Sequence, residues 1–425
     1  MKLNQITKNY TIGIIGLGYV GLPLALEFGK KFLVVGYDIN KNRINELKNN
    51  FDSNDANGKK KFNANRAQFT NNINDLKKSN FIIVTVPTPI KVNKKPDLKY
   101  INQACKDVAK IINKNDIVVF ESTVYPGLTE DHCVPIIEKI SRLTYLKDFF
   151  VGYSPERINP GDKKRTIRNI VKIVAGCDSK TTKIINDIYK KIIDAGTYVV
   201  SSIKIAESAK VIENTQRDLN IALINELAII FNKLNIDTKE IIDAASSKWN
   251  FQKFYPGLVG GHCIGVDPYY LTHLAKKINL NPKIITSGRK LNDNMHIYIK
   301  KKFLKKIKEK GINKKNLRIL IMGYTFKENC NDIRNTRILN LYKSLSQNYN
   351  TYVYDPLVIK NQNNIKNVKF IKSLKSKKFD AVIITLKHDV FKKITIQNLK
   401  KILFKKNVIY DLKGLYNKKE VDLTL

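Results

Sequence analysis

A glycine-rich segment near the amino terminus constrains the fold more than any other feature of the chain. The segment Gly16–Gly21 reads G-L-G-Y-V-G; it follows an apolar run and opens a stretch of helical periodicity, with Pro23 in its first turns. Asp38 ends the next apolar run, roughly 20 residues on, as a dinucleotide fingerprint requires. Glycines let backbone approach a pyrophosphate at a helix N-terminus, and a carboxylate accepts both ribose hydroxyls. The pattern predicts NAD, rather than NADP, as cofactor. The alternative is a glycine-rich turn that has no ligand.

Short apolar runs alternate with amphipathic stretches in the first half of the chain, and the alternation returns near its end. We predict an α/β protein with two Rossmann-like, doubly wound domains, 1–200 and 306–425, joined by a helical central domain, 201–305. One long helix is expected over Lys204–Leu234, where neither glycine nor proline interrupts the helical spacing. It could join domains or form a dimer seam. The predicted strands are Thr11–Ile15, Leu33–Tyr37, Phe81–Val86, Ile117–Glu121, Ile170–Ala175, Arg318–Met322, Thr351–Tyr354, Ala381–Thr385 and Val408–Asp411.

The formal net charge of +39 raises the question of a nucleic-acid partner. The excess is mostly lysine scattered along the whole chain, which indicates a compositional bias on solvated faces rather than a binding patch. We therefore expect no nucleic-acid partner. No apolar run approaches the roughly 18 to 20 residues of a membrane span, and the amino terminus lacks a signal-peptide pattern. The sequence predicts a cytoplasmic protein without a membrane span.

One of the five cysteines stands apart. Cys263 lies in the glycine-rich segment Pro256–Asp267, P-G-L-V-G-G-H-C-I-G-V-D, where flexible backbone can come close to a substrate. From composition alone, a structural cysteine is the commoner alternative. The cysteines are far apart and lack zinc spacing, so neither disulfides nor a metal site is predicted. Two loops, Thr85–Pro89 and Glu121–Gly127, are expected at the carboxyl ends of strands, where open α/β sheets bind ligands.

Five segments, taken together, show that the chain resembles the UDP-glucose/GDP-mannose dehydrogenase family over its whole length. Within that family it resembles specifically the UDP-N-acetylhexosamine 6-dehydrogenase branch. These segments are Gly16–Ala25, Glu121–Gly127 (E-S-T-V-Y-P-G), Tyr153–Gly161 (Y-S-P-E-R-I-N-P-G), Gly260–Tyr270 and Thr325–Cys330. The resemblance implies oxidation of the 6-hydroxyl of a UDP-hexose to a carboxylate in two hydride transfers to NAD. The aldehyde is captured by a cysteine as a thiohemiacetal, which is oxidised to a thioester and then hydrolysed.

The resemblance also implies roles for individual residues. Cys263 matches the nucleophile, Lys210 and Asn214 the donors that stabilise developing negative charge, and Asp267 the carboxylate near the cysteine. Thr123 and Glu156 match the positions that hold and activate water, with Glu156 as hydrolytic base. The expected NAD contacts are Gly16, Gly18, Tyr19, Val20, Asp38, Arg43, Thr85, Pro87 and Thr123. The expected UDP-sugar contacts are Lys253, Phe254, Gly260, Arg289 and Lys327, although a lysine in this chain could also be a surface charge.

Two departures from the UDP-glucose enzymes concern the substrate. Arg157–Pro160 replaces a segment with a second acidic residue, and Val266 stands where those enzymes carry lysine beside the aspartate. Both departures favour UDP-GlcNAc or UDP-GalNAc as substrate, with UDP-ManNAc or UDP-glucose as alternatives. The resemblance to this branch also implies a role in surface polysaccharide synthesis. A homodimer is expected. Two other classes are a one-step hydroxyacid dehydrogenase that needs no cysteine, and a basic nucleotide- or nucleic-acid-binding protein without catalysis.

Overall fold

The structure, a computed structural model, describes residues 9–53, 60–157, 165–314, 316–358 and 367–425. Its contacts divide the chain into two compact units. The N-terminal unit comprises Met1–Glu213 and Tyr269–Leu280, and the C-terminal unit comprises Asn214–Pro268 and Asn281–Leu425.

A parallel-stranded sheet forms the framework of the N-terminal unit. The strands described in this unit are β1 (Thr11–Ile15), β2 (Leu33–Tyr37), β3 (Phe51–Asp52), β4 (Lys60–Lys61), β5 (Ala67–Thr70), β6 (Phe81–Val84), β7 (Ile117–Phe120), β8 (Phe150–Tyr153), β9 (Lys172–Gly176) and β10 (Thr197–Val199). Eight of them form one sheet in the order β10-β9-β8-β7-β6-β1-β2-β5, in which only β8 and β9 pair antiparallel. From β5 to β8 this is the doubly wound order of dinucleotide-binding domains, with a switch point between β1 and β6.

Helices cover this sheet on its faces, because its central strands have no polar side to expose. All residues of β6 and β7 are buried. The helices of the unit are Gly21–Gly29, Lys41–Lys48, Lys99–Ile111, Val134–Ser141 and Ser179–Tyr189. Pro23 is the third residue of the first helix, where its missing N–H is tolerated. The predicted Rossmann architecture is confirmed here.

A long helix, Ile203–Lys233, begins in the N-terminal unit and continues into the C-terminal unit. It confirms the predicted helix to within one residue at each end. The other helices of the helical region are Thr238–Ala245, Asp267–Lys277 and Lys283–Glu309.

The C-terminal unit contains a second parallel sheet, also buried on both faces. Its strands are β11 (Arg318–Met322), β12 (Asn350–Tyr354), β13 (Phe379–Ile384), β14 (Leu403–Asp411) and β15 (Leu423–Thr424), in the order β12-β11-β13-β14-β15. Alternate residues of β11 enter two different cores: Ile319 and Ile321 pack on one face, Leu320 and Met322 on the other. The helices flanking this sheet include Ile338–Ser346, Asp389–Lys392 and Ile396–Lys401.

Three predicted strands end earlier than expected. β6 stops at Val84 and β7 at Phe120, so that Thr85 and Glu121 begin the loops at the carboxyl edge of the first sheet, and β13 stops at Ile384, one residue before Thr385. Within the described residues, no helix is both long and apolar enough to cross a bilayer.

Candidate active site

The first glycine turn closes at the end of β1. Gly16 adopts φ +95°, a left-handed conformation that favours glycine, and its N–H donates to the carbonyl of Tyr37 at 2.8 Å. The Thr85 hydroxyl, from the loop after β6, donates to the carbonyl of Gly16 at 2.6 Å. The turn therefore lies at the switch point of the sheet, held by residues from both neighbouring strands.

The remaining glycines leave the helix N-terminus open to a ligand. A Cβ at Gly21 would lie 1.8 Å from the carbonyl oxygen of Gly16, so no larger residue fits, whereas a Cβ at Gly18 would meet nothing within 4 Å. Val20 precedes the helix Gly21–Gly29 and makes no side-chain cap. Unfilled space beside uncapped backbone N–H groups suits a pyrophosphate. Tyr19 lies in the same turn.

Asp38 and Arg43 both contact this turn from the β2 side. The Asp38 carboxylate accepts from the N–H of Leu17 and from the N–H of Asn40, each at 2.9 Å. The buried Arg43 donates through Nε to the carbonyl of Leu17 at 3.0 Å and pairs with Asp52 at 2.7 Å. Arg43 thus supports the cofactor turn from behind, and its direct contact with the cofactor stays a prediction.

Two loops follow β6 and β7 at the same edge. The Ser122 hydroxyl donates to the carbonyl of Val86 at 2.7 Å, which ties the loops together. Tyr270, in the helix Asp267–Lys277, donates to the carbonyl of Thr88 at 2.9 Å. Pro87 is exposed and Thr123 half-buried, so both can meet a ligand at this edge.

A buried cluster of charged residues, which sequence reasoning missed, lies beside Glu156. Lys172 Nζ lies 2.7 Å from Glu121 Oε2 and 2.8 Å from Glu156 Oε2. The hydroxyl of Tyr189 donates to the other oxygen of Glu121. The one signal in the sequence was a lysine inside an apolar run, the run that became β9. Of the motif around Glu156, Ile158–Gly161 falls outside the described residues.

The long helix brings Lys210 to Glu156 within the N-terminal unit. Lys210 is only 7% exposed, and its Nζ donates to the backbone carbonyl of Glu156 at 2.7 Å. Lys210 is therefore not one of the solvated surface lysines that the composition of the chain would suggest. One turn earlier, the buried Glu207 accepts from the N–H groups of Gly127 at 2.5 Å and Thr129 at 3.0 Å. This carboxylate fixes the loop that carries Thr123 and was also missed.

In the C-terminal unit, Asn214 and Asp267 form a buried pair next to the cysteine loop. Asn214 Nδ2 donates to Asp267 Oδ2 at 2.6 Å, and the side-chain oxygen of Asn214 has no hydrogen-bond partner among the described residues. Cys263 is half-buried, and its carbonyl accepts from the N–H groups of Val266 and Asp267 at 2.9 and 2.8 Å. The cysteine therefore precedes the first turn of the helix that Asp267 begins. Lys210 and Asn214 are four residues apart on the long helix, as neighbours on one helical face are.

The cysteine loop is fastened to the segment after β11. Gly261 (φ +86°) and Asn335 bond reciprocally: the Gly261 N–H donates to the Asn335 carbonyl at 3.2 Å, and Asn335 Nδ2 donates to the Gly261 carbonyl at 2.8 Å. A Cβ at Gly260 would lie 2.7 Å from the Asn335 carbonyl oxygen. Gly260 thus permits close backbone packing, a structural role that does not require substrate contact.

A second glycine turn in the C-terminal unit repeats the hydrogen bonds of the first. The Gly323 N–H (φ +98°) donates to the Tyr354 carbonyl at 2.9 Å, the Tyr324 N–H donates to Asp355 Oδ2 at 2.7 Å, and the Thr385 hydroxyl donates to the Gly323 carbonyl at 2.9 Å. The corresponding groups in the first turn belong to Gly16, Tyr37, Leu17, Asp38 and Thr85. Two α/β sheets thus present the same local structure at the carboxyl ends of their strands.

A cavity of about 850 Å³ lies in the C-terminal unit, lined in part by residues that follow β13 and β14. Its lysines come from several elements, and acidic side chains and Tyr255 share its wall. The lining lysines are Lys239, Lys387, Lys392, Lys413 and Lys418. Six carboxylates line the same cavity, and four of these lysines pair with one of them, Lys239 with Asp243, Lys392 with Asp389, Lys413 with Glu328 and Lys418 with Asp237. A diphosphate bound here would take the place of carboxylates as the partner of these ammonium groups.

The predicted UDP contacts fall differently around this cavity. Lys253 pairs with Asp243 at 2.5 Å, while the neighbouring Tyr255 lines the wall. Phe254 is half-buried. Lys327 accepts a bond from Thr325 through its carbonyl at 2.8 Å, and its Nζ lies 5.5 Å from the Phe326 ring. The cavity is thus lined by neighbours of Lys253 and Lys327, and the predicted contacts of these lysines with UDP stay predictions. The lysines after β13 and β14 were not predicted, because they have no spacing signal in a lysine-rich chain.

Arg289 lies in the helical region, in a long helix of the C-terminal unit. The residue is 1% exposed, and its guanidinium contacts Asp218 at 2.5 Å and also Asp293. Its contact with the sugar phosphate stays a prediction.

Among the residues that the structure describes, no group of three or more His, Cys, Asp or Glu side chains could hold a metal ion. All five cysteines are free.

Three family models match successive parts of the chain. All three describe the UDP-glucose/GDP-mannose dehydrogenase family: its NAD binding domain matches residues 10–193, its central domain 204–294 and its UDP binding domain 320–418. These matches cover most of the sequence.

Individual proteins are similar over nearly the whole length. A UDP-N-acetyl-D-glucosamine 6-dehydrogenase from Salmonella typhi is 52% identical over 395 residues, 92% of each chain. One from Pseudomonas aeruginosa is 48% identical over 396 residues, 92% of this chain and 94% of that protein. Among solved structures, a UDP-D-ManNAc dehydrogenase from Pyrococcus horikoshii has a TM-score of 0.86 at 26% identity, covering 96% of both chains.

Proposed function

We propose that this chain, which belongs to the UDP-glucose/GDP-mannose dehydrogenase family, oxidises the 6-hydroxyl of a UDP-N-acetylhexosamine to the carboxylate. It is an NAD-dependent UDP-sugar 6-dehydrogenase. The observation that carries the substrate is the 52% identity, over 92% of both chains, to a UDP-N-acetyl-D-glucosamine 6-dehydrogenase. Relatives at 29 to 34% identity are named UDP-N-acetyl-D-mannosamine dehydrogenases, so UDP-ManNAc is the second candidate.

The first glycine turn would hold NAD, which when bound accepts a hydride from the sugar. Backbone N–H groups at the start of the helix Gly21–Gly29 would bind the pyrophosphate next to Gly16 and Gly18. Asp38 would accept from the adenosine ribose. The open space at Gly18 and the uncapped helix support this assignment. The other proposed contacts are Tyr19, Val20, Arg43, Thr85, Pro87 and Thr123.

Cys263 would form the covalent bond to the substrate. Its thiolate adds to the 6-aldehyde, giving a thiohemiacetal whose oxygen carries developing negative charge. After the second hydride leaves carbon 6, the product is a thioester. Cys263 is half-buried within a glycine-rich loop, and this position supports the role of a nucleophile more than that of a structural cysteine in the core.

Three buried polar residues, Lys210, Asn214 and Asp267, would stabilise the charged intermediate of this reaction. The ammonium of Lys210 and the amide of Asn214 can stabilise an oxyanion in a site with little water. Asp267 fixes the Asn214 amide at 2.6 Å and so determines where its donors point. All three side chains are buried, which strengthens their electrostatic effect.

Glu156 would act as the base in hydrolysis, with Thr123 holding the water. Glu156 takes a proton from water, the water oxygen bonds to the thioester carbon, the carbon–sulfur bond breaks, and the proton returns to the cysteine sulfur. A carboxylate can serve as this base once a water is held within hydrogen-bond reach of it.

The lysine-lined cavity in the C-terminal unit would bind the UDP group. Its location beside the ends of β13 and β14 matches the rule that open α/β sheets bind ligands at their carboxyl edge. Lys327, Lys253, Phe254, Gly260 and Arg289 are retained as predicted contacts of the substrate. We further propose the three domains 1–200, 201–305 and 306–425, a homodimer, and a uronic acid product destined for surface polysaccharide, the last on resemblance alone.

The test is the number of NADH molecules formed per sugar consumed. With UDP-GlcNAc and UDP-GalNAc in parallel, we expect two NADH and a uronic acid, identified by mass spectrometry. One NADH with an aldehyde product would contradict the cysteine mechanism, and oxidation of UDP-glucose or UDP-ManNAc at much higher kcat/KM would contradict the substrate.

We predict that Cys263→Ala abolishes net acid formation while NAD binding, measured by calorimetry, is unchanged. The thiol is required for the covalent steps but lies outside the glycine turn. Cys177→Ala is the matched control, since Cys177 is also not fully buried and should keep full turnover. Acid formation by Cys263→Ala at the wild-type rate would remove the thioester mechanism.

A further inference from the structure

One lysine bridges two carboxylates in the interior of the N-terminal unit. The side chain of Lys172 is 3% exposed, and those of Glu121 and Glu156 are 0% and 5% exposed. Lys172 Nζ also lies 3.4 Å from the carbonyl of Pro155 and 5.2 Å from the centre of the Tyr189 ring. Neither Glu121 nor Lys172 takes part directly in the proposed reaction.

Two buried carboxylates and one ammonium leave one excess negative charge when all are ionised. Such a charge is unfavourable away from water, and uptake of a proton removes it. Burial raises the pKa of Glu121, the charge of Lys172 lowers it and the charge of Glu156 raises it, and the net result is a pKa of about 7. Burial alone would lower the pKa of Lys172, but the two carboxylates raise it above its usual value. Glu121 is therefore the group of the cluster that changes charge near neutral pH.

Glu156 is held on every side by this arrangement. Its Oε2 accepts from Lys172, its Oε1 accepts from the N–H of Arg157 at 2.6 Å, and its backbone carbonyl accepts from Lys210 at 2.7 Å. Removing Lys172 would free one carboxylate oxygen, and changing the charge of Glu121 would change how much of the Lys172 charge acts on Glu156.

We infer that Lys172 and Glu121 are positioning residues for Glu156: Lys172 fixes the orientation of its carboxylate, and the charge of Glu121 determines how much of the Lys172 charge acts on it. This inference rests on the proposed function, in which Glu156 removes a proton from the hydrolytic water. Neutral Glu121 leaves Lys172 to act on Glu156 alone, which weakens the base. Ionised Glu121 shares Lys172 and adds repulsion, which strengthens it.

The expected pH dependence follows from the groups that face the cluster. Glu121 meets Lys172 from β9, Tyr189 from the helix Ser179–Tyr189 and Glu156 from the segment after β8, and Lys210 contacts Glu156 from the long helix. Since Lys172 stays protonated and Tyr189 stays neutral, their pKa values being raised, Glu121 is the group of this set expected to change charge near pH 7. Thioester hydrolysis should accelerate as pH rises through about 7.

The first test compares Glu121→Gln with Asp116→Asn. Asp116 is a buried carboxyl at the opposite end of β7, and burial raises its pKa to about 6, so it is a matched control away from the edge that carries the loops. Turnover and the fraction of Cys263 carrying a covalent adduct would be measured from pH 5.5 to 9 with UDP-GlcNAc, the adduct by intact mass spectrometry. We expect wild type and Asp116→Asn to show the acceleration. Glu121→Gln should lack it, turn over at least threefold more slowly at pH 8, and accumulate adduct with unchanged KM for NAD.

The second test removes the bridge itself. In the Glu121→Gln background, Lys172→Met should reduce kcat at least a further tenfold with adduct accumulating and both KM values within twofold, because the loss of the bond that orients Glu156 outweighs the removal of the Lys172 charge. Lys172→Arg should retain most activity. The inference is overturned if Glu121→Gln keeps the wild-type pH profile, or if the folded double variant turns over within twofold of the single variant. Should the double variant not fold, the pH profile of Glu121→Gln decides. Wild type without NADH or adduct on any UDP-hexosamine would contradict the proposed function instead.

Discussion

Asp38 and Asp355 occupy equivalent positions in the two glycine turns, but only Asp38 is exposed enough to contact a ligand. Asp38 is half-buried, while Asp355 is buried and also lies 3.3 Å from the ring of His388. A hydroxyl that bonds to a charged carboxylate contributes about 1.5–3 kcal/mol. The exposed edge of Asp38 can make such bonds with a ribose, whereas the interior of the C-terminal unit already uses Asp355.

We therefore predict that Asp38→Asn raises the KM for NAD at least tenfold and leaves the KM for the UDP-sugar within twofold. Asparagine can still accept from the N–H of Leu17, so the turn is kept while the charge is lost. Steady-state kinetics with each substrate varied would measure this. Asp355→Asn is the control and should not change the KM for NAD; an unchanged KM for NAD in Asp38→Asn would remove Asp38 from the ribose site.

At the scale of elements, the sequence was sufficient where a single pattern determines the outcome. The apolar runs that became β1, β2 and β11, and the uninterrupted helical spacing of Ile203–Lys233, are local signals that predicted their elements to within one residue. Six described strands were missed: the two-residue strands β3, β4 and β15, and the longer strands β5, β8 and β10. β5 and β10 carry polar residues and exposed positions typical of sheet edges, and β8 contains Gly152, which weakens a strand pattern.

The attachment of the cysteine loop to the segment after β11 can be tested by Asn335→Gly. Asn335 has φ +51°, which glycine adopts easily, so the substitution removes the amide without backbone strain. Losing the bond to the Gly261 carbonyl should loosen the loop, lower kcat at least threefold, and speed alkylation of Cys263 by iodoacetamide, followed by peptide mapping. Asn279→Gly, at φ +59° after the helix Asp267–Lys277, is the control. Equal alkylation rates in all three proteins would show that Asn335 does not restrain the loop.

At the scale of the whole molecule, the motifs identified residues but not the contacts that these residues make. Lys210 and Asn214 are helical neighbours, and Asn214 bonds to Asp267, while their catalytic roles stay predictions. The sequence could not identify Lys172, which contacts Glu121 and Glu156 at 51 and 16 positions away in the chain. Nor could it identify Asn335, which contacts Gly261 at 74 positions away. Each of these contacts forms only when the sheet and the loops of its own unit are assembled, and one sequence contains no pattern for them.

The long helix also presents an apolar stripe that an isolated chain would leave in water. Ile212, Leu223 and Ile230 are 53%, 54% and 46% exposed. Spacings of 11 and 7 residues place them within about 20° of one another around a helix of 3.6 residues per turn. A second copy of the chain, related by two-fold symmetry, would bury this stripe against its own counterpart.

We predict that the protein is a dimer and that Leu223→Glu makes it a monomer, because two glutamates would face each other without partners in the interface. Light scattering coupled to size exclusion would measure the mass between about 1 and 50 µM, a range in which an interface of micromolar affinity or better is occupied. Val92→Glu is the control, since Val92 is fully exposed in a loop outside the helix and should leave the dimer intact. A wild-type monomer would contradict the dimer, and a dimeric Leu223→Glu would mean that chains associate through a different surface.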